Sequence, residues 1–309
     1  MLLASGEESL FNYVDPGIIH FMIYPETING EGPVLETLKK IARDDFFQAV
    51  EITWIKDEKT RQKASNLLKS SHLKVYYGAQ PRLLTQDLDL NSFDEKERKK
   101  AIDTIKDGID EAQEMNAEAV AFLSGKNVPE EGQKEALGLL INSINQLCEY
   151  AVETGYDKKL VLEIFDNTID KKALVGPVET ALQVAESVRE KHDNFGLMVD
   201  LSHLPLLSES PQQAIVPIKD HLCHVHIGNC MLNKNHSAYG DTHPRFGYDV
   251  GENDVAELAE FLQVLFEIGY LNEKETKTVS FEVKPLEDED PEIVMANAKR
   301  VLKKAWALV

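Results

Sequence analysis

KLVLEIF (residues 159–165), GPVETALQVAESVREKH (176–192) and FGLMVDL (195–201) follow one another, and their reading decides the fold. The first and third are short aliphatic and β-branched runs with the length of buried strands. The second spaces its apolar residues three and four apart, as one face of a helix requires, and Pro177 suits its first helical position. Strand, helix and strand joined in this way make a parallel crossover unit. The same rhythm extends outward in both directions. GIIHFMIY from Gly17, AVEITW from Ala49, LKVYYGA from Leu73 and AEAVAFL from Ala117 precede the unit, and LCHVHIG from Leu222 and TVSFEVK from Thr278 follow it, so eight strands are expected. VLETLKKIARDD from Val34 and the stretch from Phe93 to Met115 read as intervening helices, the EKERKK run from Glu95 being a solvated face with opposite charges three and four apart.

Eight right-handed β/α units close naturally into a parallel eight-stranded (β/α)8 TIM barrel, whereas an open doubly wound sheet usually has fewer strands and a phosphate-binding glycine turn. Neither GxGxxG nor GxxxxGK[ST] occurs, so no nucleotide cofactor is expected. No proline-rich, serine-rich or low-complexity linker divides the chain, and residues 1–309 are expected to form a single TIM-barrel domain.

The 33 basic and 53 acidic residues leave a formal charge of −20, which repels a phosphate backbone and an anionic membrane at long range. Bound metal can reverse that potential inside a cleft, so charge disfavours nucleic acid as a partner without excluding it. Cys148, Cys223 and Cys230 form no CxxC pair and are odd in number, which fits a reducing cytoplasm and argues against a thiolate zinc site. The start, MLLASGEESLFNY, lacks the basic region of a signal peptide, and no apolar run reaches about 18 residues, so neither secretion nor membrane insertion is expected.

Four expected strands carry metal-ligand residue types near their C-terminal ends, which converge on one mouth of a parallel barrel: Glu163, Asp200 (with His203 just beyond), His226 and Glu282. Side chains alternate along a strand, so Leu162, Ile164 and Val199 point away while the carboxylates face the axis. Clustered buried carboxylates repel one another and demand a counter-ion. Three carboxylates and one imidazole suit Mn²⁺, Mg²⁺, Co²⁺ or Zn²⁺. The competing reading of Glu163 and Glu282 is a strand-end glutamate paired with a lysine such as Lys284. His224 shares a face with His226 but lies deeper, as a core or supporting histidine would. His20 and Glu51 either reach the mouth or satisfy neighbouring polar groups.

LEIFD with Glu163, DLSH with Asp200 and His203, HVHIG with His226 and FEVKP with Glu282, in this order, resemble the xylose-isomerase-like barrel superfamily and its sugar isomerase and epimerase branch, similar to the ketose 3-epimerases. The resemblance is carried by the second half of the chain. It implies that Glu163, Asp200, His226 and Glu282 ligate a divalent ion and that His203 contacts substrate oxygens. Glu163 and Glu282 would be the catalytic acid and base, moving a proton between carbons beside a carbonyl through an enediolate. It also implies a small sugar or polyol substrate and a homo-oligomer.

Leu232 stands where the epimerase pattern would place an arginine, and Arg245 becomes the candidate contact for a substrate oxygen or phosphate. Trp54, Phe165 and Phe246 are candidates for an apolar wall, against the commoner core role of strand aromatics. NCMLNKNHSAYGDTHPRFGYDVGEN, from Asn229, is a long stretch without an obvious element and resembles the corresponding loop of the apurinic-site endonuclease branch. That likeness implies a second metal held by His203, Asp241 and His243. The two early histidines of that branch have no counterpart here, the second strand ending at Trp54 and the third leading into GAQPRLL. Three function classes follow: a metal-dependent isomerase or epimerase, a dinuclear metal hydrolase or phosphoesterase, and a non-catalytic sugar-binding barrel. The acidic EDEDPE run from Glu287 reads as a favourable negative entry to the last helix.

Overall fold

Alternation of buried strands with amphipathic helices gives eight parallel strands in the computed structural model, which describes residues 9–286 and 288–309. Residues 1–8, the start of the N-terminal segment read above, and Glu287, the first of the acidic run, lie outside the described residues. The strands are β1 (Val14–Ile19), β2 (Ala49–Ile52), β3 (Lys74–Gly78), β4 (Ala119–Leu123), β5 (Lys159–Glu163), β6 (Phe195–Asp200), β7 (Leu222–Gly228) and β8 (Lys277–Glu282). They pair in sequence order and close through β8 against β1, which is the eight-stranded TIM barrel expected. Gly17 permits this closure, since a Cβ there would lie 2.3 Å from Ser280 Oγ.

The first strand departs from expectation at both ends. It starts at Val14 and stops at Ile19, and His20 opens a short helix, His20–Ile23, in which the chain turns away at the barrel mouth. Val34–Ala42 and Glu95–Glu114 are helical as read, with Glu95, Lys96, Glu97, Lys99 and Lys100 exposed. Pro177 is the N-cap rather than the first residue of the helix Val178–Arg189, its ψ of 144° lying outside the helical range. Asp290 caps the last helix, Pro291–Trp306, by accepting from the Glu292 and Ile293 amides, so an acidic residue does open that helix.

Alternation sorts each strand between two cores. Outward residues such as Val120, Phe122, Leu160, Leu162 and Val199 join the large core under the helices, while Ala119, Ala121, Val161 and Met198 make a small apolar cluster inside the barrel. Continuing the inward faces of β5 and β6 towards their C-terminal ends brings Glu163 and Asp200 to the mouth. Apolar packing therefore ends, and polar chemistry begins, within one residue pair on each of these strands.

Candidate metal centre

The four strand-end residues converge. Glu163, Asp200, His226 and Glu282 are buried and can each offer one ligand atom such that all four lie within 4.8 Å of one another. Register explains part of this, Asp200 standing opposite His226 and Gly228 opposite Glu282. Gly228 has no side chain to obstruct the approach, and a Cβ there would come 2.5 Å from the Glu282 carbonyl oxygen. His226 Nδ1 lies 2.7 Å from Glu282 Oε2 and 3.7 Å from Glu163 Oε1. Glu282 thus meets His226 and, at 3.4 Å, His243 Nε2, rather than the lysine of the competing reading.

A second polar group adjoins the first. His203 Nδ1 donates to the Ile164 carbonyl at 2.7 Å, which turns Nε2 towards Asp241 Oδ1, 3.3 Å away, and that oxygen is 3.0 Å from His243 Nε2. Asp200, His203 and His243 form a further group of mutually close ligand atoms. Asp241 is held from its other side, Oδ2 lying 3.0 Å from Lys171 Nζ and its amide donating to Asp170 Oδ2. Lys171 and Asp170 come from the loop after β5, which Asp166 organises: its fully buried carboxylate accepts the amides of Thr168, Ile169, Asp170 and Lys171.

The electrostatics call for positive charge. Burial pushes the Asp200 carboxyl up to about 6, with Glu282 adding to the rise and His203 opposing it. Burial would lower the imidazoles, yet facing carboxylates, Asp241 foremost, raise His203 to about 10 and His243 to about 9. His226 is likewise raised, against burial, chiefly by Glu51. Asp241 is held well below the usual carboxylate range by His243, His203 and Lys171, which overcome its burial. Glu163 Oε1 and Asp200 Oδ2 are buried without a hydrogen-bond partner among the described residues, whereas the Asp241 oxygens are taken up by the ion pairs with Lys171, His203 and His243. Orphaned acceptors of this kind, in an oxygen-rich set with imidazole nitrogen, fit a divalent cation.

Above the cluster lies a cavity of about 450 Å³, with Glu163, His226, Asp241, His243 and Glu282 on its polar side and Ile19, Phe21, Met22, Pro25, Leu84 and Phe165 on its apolar side. Lys171 and Lys284 also line it. Phe165 lines the cavity and is also part of the core, its ring 4.4 Å from that of His203. The other proposed contacts lie elsewhere. Trp54 donates to the Ile28 carbonyl and packs under Lys56 and Arg82 beside a different depression. Arg245 pairs with Glu289 at 2.8 Å and covers the Tyr248 ring, and Phe246 is fully buried against Phe281. His20 bonds Thr37 Oγ1 at 2.7 Å and is held neutral by burial, its imidazole lowered to about 3.

Two participants escaped the reading of the sequence. Gln80, two residues beyond β3 and the first residue of the short helix Gln80–Leu84, donates to Glu163 Oε2 at 2.7 Å, and its place just past a strand end was the available signal. Lys171 sits in an irregular loop, where no periodicity marks it.

The model of the xylose isomerase-like TIM barrel family matches residues 39–304, and the chain belongs to that family. Among solved structures, it is similar to a D-tagatose 3-epimerase-like protein (20% identity, TM-score 0.70, 94% of this chain and 97% of that one covered). It is also similar to an L-ribulose 3-epimerase (17%, TM-score 0.73, 95% and 94% covered). A third similar structure is an IolI protein with a bound zinc atom (15%, TM-score 0.73, 95% and 98% covered). These likenesses establish a shared fold. No curated protein is a significant match.

Proposed function

We propose that this xylose-isomerase-like barrel is a divalent-metal-dependent isomerase or epimerase of a small sugar, sugar acid or keto-polyol. The observation that carries the reading is the convergence of Glu163, Asp200, His226 and Glu282 at the floor of a cavity with room for such a substrate. The structural likeness to sugar epimerases supports it as analogy.

An ion held by those four residues would polarise a substrate carbonyl and its neighbouring hydroxyl, acidifying the intervening C–H. The protein supplies the rest. One of Glu163 and Glu282 takes the proton from that carbon, and the other returns a proton to the resulting enediolate. They reach the floor from β5 and β8, so a substrate lying between them has a carboxylate on either flank. Gln80 donates to Oε2 of Glu163 and so orients its carboxylate at the floor of the cavity. His203, oriented by the Ile164 carbonyl, offers Nε2 to a substrate oxygen. Lys171 and Lys284 take over the cationic contact first assigned to Arg245, because they line the cavity. Phe165 and the facing aliphatic side chains exclude water from the enediolate.

The dinuclear hydrolase or phosphoesterase is the second reading, favoured by the approach of His203 and His243 to Asp241. Three unpaired cysteines and the acidic surface support a cytoplasmic, single-domain enzyme with a small-molecule substrate, and we read it as a homo-oligomer by family analogy.

Elemental analysis of wild type and His243→Ala, with deuterium incorporation into a ketose panel in heavy water, tests the choice. One ion per chain in both proteins, with exchange into a ketose, is the expected result. Two ions falling to one, without exchange, would transfer the proposal to the hydrolase, and ligand binding without exchange would leave a sugar-binding barrel. Glu282→Gln should keep the fold, weaken metal binding and abolish turnover; near-normal activity would remove Glu282 from the catalytic role.

A further inference from the structure

Beneath the four proposed ligands the barrel holds a second polar layer. Glu51, inward-facing on β2 and 1% exposed, crosses the interior to β7. His224 Nε2 is 2.6 Å from Glu51 Oε1, and His226 Nε2 is 3.0 Å from both Glu51 oxygens. The His224 ring is fixed in turn by the Tyr76 ring, stacked 4.4 Å away at 21°, and the Tyr76 hydroxyl donates to Thr278 Oγ1 at 2.9 Å. Four strands, β2, β3, β7 and β8, thereby set the place of one carboxylate.

The arrangement constrains the His226 ring. An imidazole nitrogen can ligate a cation only through a free lone pair, and the neutral ring carries its one proton on the other nitrogen. The nitrogen facing the proposed ligands is Nδ1, close to Glu282 and Glu163, while Nε2 faces Glu51. Both nitrogens face carboxylates, but an ion held among Glu163, Asp200 and Glu282 would take the Nδ1 lone pair, and the ring's one proton then lies on Nε2, where Glu51 accepts it. Burial removes water as a substitute partner.

We infer that Glu51, itself held by His224, is a positioning residue for the metal centre: it fixes the ring orientation and tautomer of His226, keeping the proton on Nε2 and the Nδ1 lone pair free for the ion. The inference rests on the metal-dependent reading above. A carboxylate that only satisfied two core histidines would contribute to stability and leave metal affinity alone. An ion bound lower, between Glu51, His224 and His226, would need Nε2 of both rings without protons, the opposite tautomer of His226. The geometry favours the first arrangement because Nδ1 of His226 faces a group that holds three carboxylates, Glu163, Asp200 and Glu282, whereas the lower group offers Glu51 alone.

The test is Zn²⁺ affinity, measured by competition with a chromophoric chelator, on wild type, Glu51→Gln and His224→Gln. It is read beside histidine ¹⁵N spectra of the loaded proteins and thermal unfolding of the metal-free ones. Glu51→Gln should weaken Zn²⁺ on the order of 10- to 100-fold, as loss of an outer partner of a ligating histidine typically does. His224→Gln, one step further out, should weaken it less. In loaded wild type the His226 signals should show a protonated Nε2 and a ligated Nδ1. A ligated His226 Nε2, or a folded Glu51→Gln with affinity within twofold of wild type, overturns the inference. If Glu51→Gln does not fold, His224→Gln decides alone, an affinity within twofold of wild type overturning it. Absence of Zn²⁺ binding in wild type would defeat the metal reading itself, which separates the two failures.

Discussion

Replacing Asp166 should loosen the side of the site that no strand holds. Its carboxylate, with no exposed surface, accepts the amides of Thr168 at 3.2 Å, Ile169 at 2.5 Å, and Asp170 and Lys171 at 2.8 Å each. A hydrogen bond to a charged group contributes about 1.5–3 kcal/mol, so four would sum to about 6–12 kcal/mol, comparable to the whole stability of a typical domain. The amides lie in a segment whose side chains are half-exposed or exposed, and water can replace much of what is lost. About two bonds' worth, near 3 kcal/mol, is therefore expected for Asp166→Ala, and about 1–2 kcal/mol for Asp166→Asn, which keeps one acceptor oxygen. Loss of the anchor should also free Lys171 and Asp170 from Asp241, whose carboxylate and amide they hold. Urea unfolding at matched slope gives the stability change, and limited proteolysis across residues 167–172 gives the local one. An Asp166→Ala protein within about 0.5 kcal/mol of wild type, with that loop equally resistant to protease, would refute the anchoring argument.

Gly228→Ala should cost about 1–3 kcal/mol and lower Zn²⁺ occupancy together, because the new methyl must displace the Glu282 backbone or His243; a variant with wild-type melting temperature and metal content would contradict this. Phe246→Ala should cost about 3–5 kcal/mol with KM unchanged for any substrate turned over, and a raised KM at wild-type stability would return Phe246 to the substrate wall. His20 gives a pH dependence. Burial lowers its folded-state pKa to about 3 from 6.5, so on acidification the unfolded chain takes up a proton that the folded one refuses, and stability falls between those pH values. The slope from this group approaches 1.4 kcal/mol per pH unit, and His20→Gln should show a correspondingly shallower decline than wild type between pH 6 and 4; parallel curves would exclude the effect.

Strand and helix periodicities, which depend on local spacing, carried the barrel and the positions of Glu163, Asp200, His226 and Glu282, since a parallel barrel brings every strand's C-terminal end to one mouth. The same logic placed His224 deeper than His226, where it does lie. Tertiary structure decided what spacing does not encode. GIIHFMIY has the composition of one strand, yet the chain bends at His20 because the barrel ends there. Arg245 and Phe246 follow a ligand-rich motif in sequence, but the loop carries their side chains to Glu289 and Phe281. Gln80, Lys171 and Glu51 belong to segments 83, 70 and 175 residues distant from Glu163, Asp241 and His226, and only closure of the barrel and folding of its loops bring each within hydrogen-bonding or ion-pair reach. Local sequence selects which elements form and which face each residue takes; contacts between distant elements depend on the three-dimensional packing that places one loop against another.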